Sequence, residues 1–174
     1  MTESDRRIVA VWAADCAERV LPLFESEAPD DDRARDAIAR TRAFARGELT
    51  AAGEIRRRFV AGRAARSAVT PAGTAASRSA AQAAGVAHMG AHALGAAAYA
   101  ARAIELAHPD APDARAAEVR WQLAQLSPEA AAALRTLPLL GTDPAGPLGP
   151  GLLSSGPLGE VIHEIQAHLS SAVG

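Results

Sequence analysis

Apolar residues recur along the chain at intervals of three and four, the period of a helix that buries one side. Over 5–25, Ile8, Val9, Trp12, Cys16, Val20 and Leu23 gather on one side of a helical wheel. Arg7 and Glu18 lie opposite, and Asp15 sits at the edge of the stripe, one turn from Arg19. Pro29-Asp30-Asp31-Asp32 breaks the pattern and supplies an N-cap, with negative charge at the positive end of a second helix over 32–46. Gly47 closes that helix. Thr50 predicts the cap of a third helix over 51–69, and Thr70-Pro71 opens a fourth with proline at its first position. Gly85 separates or thins the pattern before a helical segment over 86–107. Pro109 and Pro112 end that segment, and Asp110 is expected to cap a helix reaching about 126. Ser127-Pro128-Glu129 then starts a short helix that ends near Leu137.

Residues 138–157 read differently, with five prolines, five glycines, no periodicity and a single charge, Asp143. That is a long loop for a compact domain. A last helix over 158–170 places Val161, Ile162, Ile165 and Leu169 at helical spacing. The expected fold is all-α: a compact bundle of seven to eight helices with a Pro/Gly-rich loop before the C-terminal helix. Its organisation is a helical domain over 1–137, the loop over 138–157, and a terminal helix over 158–174 packing on the same domain.

Composition narrows the picture. The chain has 174 residues, 45 of them Ala; it is 49% hydrophobic but only 3% aromatic, which argues against a sheet. Charged residues make up 22% and mean hydropathy is +0.01, values that exclude both a disordered chain and a membrane bundle. The longest uncharged run, 79–101, is mostly Ala and Gly with Gln82, His88 and His92, too poor in Leu, Ile and Val for a membrane span. Cys16 is the single cysteine and cannot form an internal disulfide. With no signal-peptide pattern at the start, a cytoplasmic location is expected. Buried Ala removes little apolar surface from water, so packing must lean on a few large anchors: Trp12, Phe24, Phe44, Phe59, Tyr99 and Trp121.

Charge is blocked along the chain. Residues 1–32 carry nine acids and three Arg, net −6; residues 33–78 carry three acids and eleven Arg, net +8. Either the acidic first helix lies against the Arg-rich second and third, or the surface is polarised toward a charged partner. Arg56-Arg57-Arg58 fans out over about 200° of a helix, with no aromatic residues for base stacking beyond Phe59, so nucleic acid is not an expected partner.

Chemistry-bearing patterns are few. His88 and His92 stand four apart on the expected helix and could share a metal, with an acid such as Asp15 or Glu18 from another helix. The simpler account makes them buried polar anchors. His163 and His168 are five apart, which swings them about 140° around a helix and excludes a zinc-protease motif. Cys16 reads as a small core residue, and Gly85, Gly90 and Gly95 as points of close helix approach. No nucleophile motif or phosphate loop is present in the sequence.

Three strings resemble a known bacterial family. They are Ala14-Asp15-Cys16-Ala17-Glu18 with Val20-Leu21-Pro22-Leu23-Phe24-Glu25, then Pro29-Asp30-Asp31-Asp32-Arg33 running into Ala37-Ile38 and Arg46-Gly47-Glu48, and Ala87-His88 to His92-Ala93 with Ala96-Ala97-Ala98-Tyr99-Ala100. In order and spacing these resemble the Imm-5-like immunity proteins over about 8–107, with Ala34 and Phe44 as mild departures. The resemblance implies an all-helical protein that binds and neutralises a cognate toxin by occlusion. It carries over no catalytic residue. Asp15, Glu18, Asp30, Asp32 and Arg33 match family-like positions and are the candidate partner-binding residues; His88 and His92 match too and remain the metal candidates. No other cofactor is expected. Two alternatives stay open: a metal-dependent helical enzyme using His88 and His92, and a homo-oligomeric scaffold that gains apolar burial by self-association.

Overall fold

The computed structural model describes residues 1–171, the side chains of 56–59 excepted. The described residues include no strand and form eight α-helices. They are α1 (Glu3–Glu25), α2 (Arg33–Ala45), α3 (Ala51–Ala64), α4 (Pro71–Gly85), α5 (His92–Ala107), α6 (Ala114–Ala124), α7 (Pro128–Arg135) and α8 (Gly156–Ser171). Helix starts follow local chemistry. Thr2 and Asp5 cap α1 reciprocally, and the hydroxyls of Thr50, Thr70 and Ser127 accept from the amides of Gly53, Gly73 and Ala130.

α1, α4 and α5 form the centre. α4 runs along α5, both lie on α1, and α2 and α3 flank α4. The α4–α5 seam is built from buried alanines such as Ala76, Ala80, Ala83, Ala93, Ala96 and Ala97, whose small side chains let the backbones approach. Bulk comes from few residues, as composition requires. Trp12, Phe24 and Phe44 are fully buried and Tyr99 nearly so; Trp121 is half-buried, and Phe59 falls outside the described side chains. α8 packs on α5, with smaller contacts to α6 and α7. The loop before α8 is pinned by Gln166, whose side chain accepts from the Leu140 amide at 3.0 Å and donates to the Pro138 carbonyl at 2.9 Å.

Several boundaries depart from the sequence reading. The expected helix over 86–107 begins only at His92, because 86–91 folds as successive tight turns. Arg6 of α1 fixes that bend by donating from Nε to the Ala87 carbonyl at 3.1 Å. α3 ends at Ala64 rather than 69: Ser67 is engaged by Arg33, and the amides of Val69 and Thr70 are claimed by Glu27. α6 starts at Ala114, since Pro112 keeps the preceding backbone out of the helix, and Asp113 rather than Asp110 occupies the cap position. At α2, Asp32 holds the cap position without a side-chain capping bond; Asp31 instead accepts from the Arg33 amide at 3.2 Å.

Candidate partner-binding site

The two metal candidates do not share a helix. His88 is exposed in the turn after α4, while His92 opens α5 with its Nδ1 2.7 Å from Gln82 Oε1. Burial, and then the neighbouring His88, push the His92 pKa down to about 4, so its imidazole stays neutral and Nδ1–H donates to the amide oxygen. Gly85 and Gly95 make room for this pair: a Cβ on Gly85 would stand 2.8 Å from His92 Cγ, and one on Gly95 would stand 2.4 Å from Gln82 Oε1. Among the described residues no three His, Cys, Asp or Glu side chains come together as a metal-holding group. Cys16 is buried, and burial first, with Glu118 and Asp15 adding to it, raises its thiol pKa well above the ordinary value.

Two of the predicted partner residues meet on one surface. Asp15, Glu18 and Arg19 project from α1 at helical spacing, and Glu118, Trp121 and Gln122 of α6, with Gln125 at its C-cap, form the matching stripe. The side chain of Glu118 is only 1% exposed and takes a hydrogen bond from Arg19 Nε at 2.7 Å. Gln122 donates to the other Glu118 oxygen at 3.2 Å and to the Ala97 carbonyl at 3.1 Å. Trp12 closes the network, its indole N–H donating to the Gln122 carbonyl at 2.8 Å. Above this base the Arg19 guanidinium lies over Trp121, 4.2 Å from the ring centroid. Arg42 of α2 bridges Asp15 at 2.8 Å and Glu18. The result is an open depression of about 450 Å³ lined by Asp15, Glu18, Arg19, Trp121 and Gln125.

The planar guanidinium–indole pair forms a rigid surface, and the buried Glu118 contact fixes the arginine in place. Sequence reasoning picked Asp15 and Glu18 but left Arg19, Glu118 and Gln125 out of the site and saw Trp121 only as a packing anchor. The spacing of 118, 121, 122 and 125 on one helical stripe was the available signal.

The other predicted partner residues lie at the start of α2. Asp30 and Asp32 are exposed and make no ion pair among the described residues. Arg33 is committed internally: it binds Asp31 through Nε at 2.7 Å and Nη2 at 2.5 Å, and reaches Ser67 Oγ at 3.0 Å. The guanidinium in turn holds the Asp31 carboxyl far below the usual carboxylate range. Arg33 therefore ties α2 to the end of α3. The Arg56–Arg58 run lies outside the described side chains.

A model of the family described as Imm-5 like putative immunity protein matches residues 1–129, roughly three quarters of the chain. The chain belongs to that family. No curated protein and no solved structure matches it. The Imm-5-like span contains α1 to α6 whole, so every residue of the α1–α6 depression falls inside it; the loop and α8 lie beyond. No described helix is long and apolar enough to cross a membrane.

Proposed function

We propose that this Imm-5-like protein binds a bacterial toxin inside the producing cell or a sibling cell and neutralises it by occlusion, through the α1–α6 depression. Family membership carries the reading, and the depression falls wholly within the matched span. The charged groups there are held against one another rather than left poised for catalysis, which favours a rigid docking face. A binding protein needs just that: shape and charge fixed beforehand, so that association loses little ordering entropy. Asp30 and Asp32, exposed at the start of α2, are acidic residues outside the depression's lining and stay second candidates for partner contact.

Coexpression with the toxin encoded by the adjoining gene tests this. Wild-type protein restores growth, and Glu18→Lys together with Gln125→Lys lowers the protection while leaving helical content and Tm unchanged. Unchanged toxicity in the presence of wild-type protein overturns the proposal.

A further inference from the structure

The two most exposed large apolar side chains among the described residues, Val69 at 82% and Leu152 at 65%, stand on the rim of one groove. It holds about 440 Å³ and runs between the N-terminal half of α4, the second half of α5 and the segment leading into α8. Tyr99, Leu106 and Leu158 line it, with Arg78 and Arg102 among them and no carboxylate in the lining. Arg102 is held by Glu105. Arg78 rests near the Tyr99 ring, 5.9 Å from its centroid, and has no carboxylate partner among the described residues. Glu27, the acid that meets the start of α4, is occupied by Val69 and Thr70.

We propose that this groove docks a protein segment in which a carboxylate stands beside two or more apolar side chains. Contiguous exposed apolar surface marks interaction sites, and here it surrounds a cation that no internal acid neutralises in a protein of net charge −2. The apolar walls take the segment's hydrophobic side chains, and the Arg78 guanidinium takes the carboxylate, both N–H groups of its fork matching the two oxygens. One wall, Leu152 to Leu158, lies beyond the Imm-5-like span, so the groove is completed by the part of the chain that the family model leaves out. Resting on the reading above, the segment belongs to the toxin, and this second contact gives the protein its choice of partner.

Selection of displayed random peptides about a dozen residues long on the full-length protein tests the groove without any toxin. Expected are binders that pair Asp or Glu with adjacent Leu, Ile or Phe and whose affinity falls at least ~10-fold on both Arg78→Ala and Leu152→Asp. Both positions are exposed, and an unchanged Tm confirms that each variant is folded. Failure to enrich peptides, enriched peptides that lack a carboxylate, or equal binding to wild type and variants overturns the proposal. Because no toxin enters the selection, its failure leaves the α1–α6 reading standing, and a failed coexpression rescue leaves the groove result standing.

Discussion

His92 is an ionisable side chain kept neutral by where it sits. Its pKa of about 4 in the fold lies below its ordinary value of 6.5, so the unfolded chain binds the proton more readily across that interval. Stability from this residue is therefore full above pH 6.5 and is lost as pH falls toward 4, by up to about 3 kcal/mol. Urea unfolding of wild type and His92→Gln between pH 4 and 7 checks this: the two curves are expected to converge as the pH falls. Parallel curves would show that the imidazole is not held neutral. Of the two readings the sequence allows, the buried polar anchor describes His92, with Gln82 rather than an acid as its partner, while His88 stands apart from it in the turn. Four-residue spacing predicts a shared face only if the helix is continuous, and the bend at 86–91 depends on Arg6, eighty-one positions from Ala87. No local pattern in an Ala- and Gly-rich stretch can announce such a contact.

At the scale of elements, the readable signals were those that act within one turn. Thr50, Thr70 and Ser127-Pro128 start their helices where the sequence puts them, because a hydroxyl accepting an amide three residues on is a local bond. Helix ends decided by distant side chains were not readable. Glu27, from the α1–α2 connection, takes the amides of Val69 and Thr70 at 2.7 and 2.9 Å, ending the α3 continuation and buttressing α4. Gly73 is needed beside it, since a Cβ there would approach the carboxylate to 2.5 Å. Burial opposes the charge on Glu27, but the hydrogen bonds from Thr70 and Val69 outweigh it and lower its pKa. Its stabilisation is consequently present at neutral pH and lost in acid as the carboxylate takes up a proton. Glu27→Gln is expected to cost about 1–2 kcal/mol at neutral pH, read as a shift in the urea midpoint, with the difference from wild type shrinking in acid.

For the molecule as a whole, part of the blocked charge is paired internally among the described residues: Arg42 binds Asp15 and Glu18, and Arg35 grips Glu25 at 2.6 Å, so the acidic first helix and the basic second offset each other in part. What pairing leaves over is informative, since Arg78 sits without an acid in the one groove whose rim carries Val69 and Leu152. The all-helical class was legible because alanine's preference and the helical period agree along nearly the whole chain. The surface of the proposed binding face was half legible: Asp15 and Glu18 lie in matched strings, whereas Arg19, Glu118 and Trp121 come together only through the contact of α1 with α6. That face is the central claim, and direct titration of purified toxin, the product of the adjoining gene, with wild-type protein and with the Trp121→Ala variant tests it most directly. A stable complex whose Kd rises at least ~10-fold in the variant, at unchanged helical content, is the predicted result; no complex, or equal affinity for both proteins, would contradict it.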